Sequence, residues 1–149
     1  MTDVAFHFNV PDKPAYLCRL LRKVANAGMR AVVLAPPPLV RELDQALWTF
    51  SQEDFISHAV NTDAIAMQER STVVLAAEEC DVGLRQVLVN CLPEVPSSFT
   101  KYEKVVEIVG TDDDDRAWAR QRWKQYTQQG FELIRHDVAQ LQRGGREHA

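Results

Sequence analysis

The first 35 residues carry the tightest constraint on the fold, because a strand, a capped helix and a second strand follow one another without interruption. Val4, Phe6, Phe8 and Val10 alternate with smaller or polar residues, the period-two pattern of a strand. Asp12 then stands where an N-cap belongs, with Pro14 near the first helical position. Leu17, Leu20, Leu21 and Val24 recur at helical spacing, and Gly28 sits at the expected helix end. The run Ala31-Val32-Val33-Leu34-Ala35 is short and apolar throughout, which predicts a buried strand. Two strands joined by a helix over this distance form a βαβ unit, and its strands run parallel.

The remainder continues the alternation. Pro36-Pro37-Pro38 breaks the chain before a second helix, with Val40, Leu43 and Leu47 on one face and Trp48 at its end. Phe55-Ile56 reads as a short extended piece, and residues 61–71 as polar and irregular. Residues 72–77, 86–92 and 104–109 read as strands, a turn of helix around Val87-Leu88 being the alternative for the second, with Pro93 and Pro96 in a loop between the last two. The last strong element is a helix from 112 to about 129, ended by Gly130. This order predicts one three-layer α/β/α domain over residues 1–142, Rossmann-like but without a nucleotide site, and a disordered tail over 143–149.

Composition narrows the function classes. A chain of 149 residues buries a sizeable core unaided. Its net charge of -4 argues against a protein that grips nucleic acid along its whole surface. No apolar run approaches the ~18–20 residues that span a bilayer. Met1-Thr2-Asp3-Val4 lacks the basic start of a signal peptide. Cys18, Cys80 and Cys91 are odd in number and widely spaced, fitting neither a disulfide framework nor a metal knuckle. A cytoplasmic protein with reduced thiols is expected.

Catalytic signatures are weak. The turn after the first strand, Asn9-Val10-Pro11-Asp12-Lys13-Pro14, holds no glycine, so its backbone is not built to approach a phosphate closely. Cys18 falls in the apolar stripe of the first helix and reads as a small core residue. His7, His58, His136 and His148 show no i, i+4 pair and read as solvated or hydrogen-bonded side chains. Asp112-Asp113-Asp114-Asp115 cannot converge on one ion, because successive side chains diverge around a helix. They read as a helix start, with Thr111 or Asp112 as the cap and the acids as complements to the helix dipole. No catalytic residue, cofactor or metal is expected.

The stretch after those acids is different. Arg116, Arg120, Arg122 and Lys124 fall within nine residues, and no acid occurs from Arg116 to Gly130. Arg116, Arg120 and Lys124 are spaced by four and line one ridge, with Trp123 beside Arg120. Such a ridge suits an acidic peptide ending in an aromatic. Pattern alone favours the blander alternative, a solvated face balancing the four aspartates. Arg122 points about 200° from Arg120 and is expected to matter less for binding.

Two motifs add a resemblance. Leu43-Asp44-Gln45-Ala46-Leu47-Trp48, followed by Phe55 and His58, resembles the LDxALW…F(V/I)xH stretch of the chi subunits of bacterial DNA polymerase III. Arg120-Gln121-Arg122-Trp123-Lys124-Gln125-Tyr126, with Gly130-Phe131, resembles that family's RxR(Y/W)KxY…GF helix. The resemblance runs to about Val138 and is thin over residues 62–98. It implies a mixed, mainly parallel sheet without a nucleotide site. It implies a non-catalytic accessory of the clamp-loader complex. Such a subunit binds the acidic C-terminal tail of single-stranded-DNA-binding protein (SSB), which ends in Asp, Pro and Phe, and binds the small psi subunit as well. On this resemblance Arg116, Arg120, Trp123 and Lys124 match the tail-binding helix, Val109 and Trp48 its apolar wall, and Phe55 the psi-binding aromatic. Trp123 replaces a commoner Tyr, and the run of four aspartates is rich in acid for such a site. A monomer or heterodimer is implied, with no sequence-specific DNA contact and no membrane. The rival readings are an orphan α/β enzyme or nucleotide-binding domain, and direct DNA binding through residues 116–124.

Overall fold

The structure, a computed structural model, describes residues 2–49, 56–63, 65–79 and 86–139. The element order is β1 (Asp3–Val10), α1 (Lys13–Asn26), β2 (Ala31–Leu34), α2 (Pro37–Thr49), β3 (His58–Val60), α3 (Ile65–Arg70), β4 (Val73–Ala76), β5 (Val87–Asn90), a 3-10 turn (Phe99–Lys101), β6 (Lys104–Gly110), α4 (Asp113–Gln128) and β7 (Leu133–Asp137). The strands form one sheet in the order β3-β4-β2-β5-β6-β1-β7. Every described strand pair is parallel, where the resemblance implied a mixed sheet.

Right-handed crossovers decide which face each helix covers. The connections from β1 to β2 and from β2 to β3 step one way along the sheet, and β6 to β7 steps the other way. Accordingly Leu17 and Leu21 of α1 and Leu43 of α2 pack with Val33, Leu75 and Ile108 on one face. Ala119 and Tyr126 of α4 pack with Val32, Leu88 and Val105 on the other. The β4, β5 and β2 strands are buried on both faces, so they read as continuous apolar runs.

Asp12 caps α1 as expected, its carboxylate accepting from the Ala15 N–H at 3.1 Å. Such a cap contributes about 1 kcal/mol. Both long helices with a glycine at the end close in the same way. At α1, Gly28 (φ +75°) donates to Ala25 and Met29 to Val24. At α4, Gly130 (φ +88°) donates to Thr127 and Phe131 to Tyr126. This paired closure needs the left-handed residue that glycine supplies. At α4 it turns the chain back to form β7 beside β1.

Two expectations about elements fail. Residues 61–71 are not wholly irregular, since Ile65–Arg70 form a short helix. The chain also continues past α4 into a strand, β7, with the burial pattern of a half-covered sheet edge. Leu133, Ile134 and Arg135 lack the strict alternation that would have announced it; pairing with β1 makes the strand. Cys18 and Cys91 are buried, and burial pushes the Cys91 thiol up to about 12. Cys80, His148 and the tail over 143–149 lie outside the described residues. Among the described residues no helix is long and apolar enough to cross a membrane.

Candidate functional site

The neighbouring strands β6 and β1 send their chains to opposite faces, the arrangement that opens a crevice at the C-terminal strand ends of α/β sheets. Here the crevice holds the protein's own charges. Asp112 caps α4 by accepting from the Asp115 N–H at 2.8 Å. The buried Asp115 carboxylate accepts from the Gly110 N–H and meets Lys13 Nζ at 3.0 Å. A Cβ at Gly110 would stand 3.1 Å from Asp115 Oδ2 and 3.2 Å from Lys13 Cε, so glycine keeps this junction closed.

From that anchored start, α4 presents two different faces. Asp115, Ala119, Arg122 and Tyr126 point to the sheet and are buried. Arg122 is 1% exposed and Glu107, beneath it on β6, is 0% exposed. Arg122 Nε donates to Glu107 Oε1 at 2.9 Å, and its Nη1 to the Pro93 carbonyl at 3.2 Å. The Tyr126 hydroxyl donates to Glu107 Oε2 at 2.6 Å, and Asn90 Nδ2 reaches both carboxylate oxygens at 2.9 and 3.1 Å. Burial pushes the Glu107 carboxyl up from its ordinary value, against the pull of Arg122, Tyr126 and Asn90. Burial and the Glu107 charge push the Tyr126 hydroxyl up. Arg122 is therefore no spare cation on a solvated surface. A direction about 200° from an exposed ridge is the direction of the sheet.

The flank of α4 turned toward β1 and β7 lines a pocket of about 480 Å³. Arg116, Arg120 and Trp123 form its helical wall, Phe6, Phe8 and Val109 its apolar floor, and Arg135 of β7 its far side. Trp123 is half-buried, its ring 5.1 Å from Phe6 in an edge-on contact. Phe6 also meets Tyr126 edge-on at 5.9 Å, so the floor is continuous with the core. Asn9, with φ +61°, sits where the pairing of β1 with β6 shifts between His7 and Val10. Its side chain accepts from Arg116 Nη2 at 3.2 Å and donates to Asp137 Oδ1 at 3.0 Å. The Arg135 guanidinium lies over the Phe8 ring, 5.1 Å from its centre. Among the described residues none of Arg116, Arg120 and Arg135 forms an ion pair.

The expected site residues thus divide. Arg116, Arg120, Trp123 and Val109 come together in the pocket. Lys124 is exposed and does not line it. Residues four apart advance about 40° around a helix, so two steps carry the ridge from the pocket to solvent. Trp48 lies elsewhere altogether. It ends α2 on the opposite face, 4.8 Å ring to ring from His58 of β3, whose Nε2 meets Asp44 Oδ1 at 3.0 Å. Four strand steps separate β3 from β6, roughly 19 Å, so Trp48 is not a wall of this pocket. Phe55 lies outside the described residues. Phe6, Phe8 and Arg135 were missed as site residues. The two phenylalanines share their alternation with ordinary core residues, and Arg135 enters only because β7 pairs with β1.

The fold and pocket define a class: a parallel three-layer α/β domain with an arginine-rimmed, aromatic-floored pocket and a self-filled strand-end crevice. The match to the DNA polymerase III chi subunit, HolC, runs over residues 1–134, and the chain belongs to this family. It is 29% identical over 146 residues to the DNA polymerase III subunit chi of Pseudomonas aeruginosa, covering 95% of this chain and 100% of that one. It is 22% identical over 122 residues to the Haemophilus influenzae subunit, covering 81% and 84%. Solved structures share the fold alone. The C-terminal domain of the DEAD-box protein Dbp5 superposes with a TM-score of 0.63 at 15% identity, covering 93% of this chain and 91% of that one. T4 UvsW superposes with a TM-score of 0.65 at 8% identity, covering 92% and 41%.

Proposed function

We propose that this polymerase subunit binds the acidic C-terminal tail of SSB in the α4 pocket and so links the holoenzyme to SSB-coated template, performing no chemistry of its own. The observation that carries this reading is the pocket's composition. Three arginines that have no carboxylate partner among the described residues surround an apolar, aromatic floor in a chain of net charge -4. A peptide with a terminal aromatic offers a ring to Phe6, Phe8, Val109 and Trp123. Its α-carboxylate then falls to Arg120, whose guanidinium holds it with two parallel hydrogen bonds. Arg116, steadied by Asn9, adds a second charge on the same wall.

Calorimetry with a tail peptide, beside a titration with single-stranded DNA, tests the reading. Saturable peptide binding lost in Arg120→Ala supports it. Equal losses from Arg120→Ala and Lys124→Ala would mean diffuse charge attraction, and DNA binding in place of peptide binding would mean a phosphate-binding helix. Attachment to the clamp loader through psi, with Phe55 as anchor, rests on the family resemblance. Phe55→Ala then weakens clamp-loader recruitment and leaves tail binding intact.

A further inference from the structure

Arg135 is the pocket arginine to which the family resemblance assigns no role. It stands on β7, across the floor from α4, with its backbone fixed by parallel pairing in which Phe6 and Arg135 are direct partners. Its guanidinium is exposed to solvent yet stacked over Phe8 at 5.1 Å. The stacking restrains the long side chain and leaves its N–H edges free to donate. Two residues along the same face, the Asp137 carboxylate is taken up by Asn9 Nδ2 at 3.0 Å and the Ala139 N–H at 3.1 Å. Among the described residues, then, Arg135 has a restrained geometry and no anionic partner.

The apolar floor lies between the helical wall and Arg135. A ligand that sets a ring on the floor, with its terminal carboxylate on Arg120, leaves Arg135 facing the part of the peptide upstream of the ring. We propose that Arg135 is a second carboxylate-binding arm, which takes an acidic side chain upstream of the C-terminal aromatic. The pocket then selects for two negative groups flanking a ring, rather than for a terminal carboxylate alone. This rests on the tail-binding function proposed above.

Three synthetic peptides test it by calorimetry: an acidic peptide ending in Asp-Pro-Phe, the same peptide with every aspartate replaced by asparagine, and the acidic peptide with a C-terminal amide. Arg135→Gln weakens the first by about fivefold, the size of a partly exposed charge pair. It weakens the asparagine peptide by less than about twofold, since the partner charge is already gone. Arg120→Gln shows the complementary pattern, with its loss abolished in the amidated peptide. A thermal melt of Arg135→Gln unchanged from the parent shows that the fold is intact. Equal weakening of the acidic and asparagine peptides by Arg135→Gln overturns the arm. Failure of the parent protein to bind any of the three overturns tail binding itself, a separate outcome.

Discussion

Arg120 and Arg122 are two residues apart on one helix, and their surroundings have nothing in common. Arg120 is exposed at the rim of a pocket, with no anionic partner among the described residues. Arg122 is sealed against Glu107, Tyr126 and the Pro93 carbonyl. The sheet-facing side of α4 is a saturated polar network that fixes the helix on β6. The pocket-facing side presents arginines that have no anionic partner among the described residues. The lesson is one of role: the buried arginine sets where the exposed ones point, and the exposed ones are left to meet a ligand.

The sharpest way to break that contrast is Arg122→Ala. It leaves the Glu107 carboxylate buried without its cation, and a loss of roughly 3–5 kcal/mol is expected in urea denaturation. A loss below about 1 kcal/mol would show that the network does not hold α4. Replacing Arg122 and Glu107 together with apolar residues of similar size is expected to cost far less than either change alone.

Arg120→Ala should do the reverse. We expect on the order of 2 kcal/mol lost in tail-peptide binding, with stability within about 0.5 kcal/mol of the parent. Lys124→Ala, one turn further along the winding ridge, should cost clearly less in the same titration. If Lys124→Ala matched Arg120→Ala, the pocket would not be the site.

A gentler test compares the two faces of the sheet. On the α1 face His7 is buried, hydrogen-bonded through Nδ1 to the Tyr16 hydroxyl and stacked on His136 at 4.4 Å. Burial first, and then the nearby His136, Lys104 and Lys23, together lower its pKa from 6.5 to about 4. The folded state therefore binds fewer protons than the unfolded chain between these values. Stability is held above about pH 6.5 and falls as pH drops toward 4. His7→Phe should flatten that slope in urea midpoints measured across the window. An unchanged slope would assign it to other groups.

The smallest effect expected is that of Trp48→Ala on tail binding. On the opposite face and at the far edge of the sheet, it should change tail affinity by less than about twofold. A large loss would place the peptide across both faces and undo the assignment to α4.

Much of this molecule is legible in its residues. The βαβ opening, the Asp12 and Asp112 caps and the glycine closures all follow from local chemistry, which acts over a turn or two of chain. The ridge of Arg116 and Arg120 with Trp123 follows from helical geometry, for the same reason. What local pattern cannot carry is the identity of a neighbour. Trp48 and Trp123 are both aromatic, partly exposed and part of a motif, and only the crossover rule puts them on opposite faces. Glu107 looks like a solvated acid within a strand until α4 lays Arg122 and Tyr126 over it. Arg135 becomes a pocket residue only when β7 pairs with β1 across more than a hundred residues of chain. By itself the sequence determined the three-layer α/β class, the parallel βαβ opening, the helix ends and the cationic ridge, because these depend on residues close in the chain. Tertiary structure alone decided which arginine is buried, which tryptophan shares the pocket and which cation faces the ridge. Those outcomes depend on burial and charge pairing between segments that meet only after the sheet has assembled.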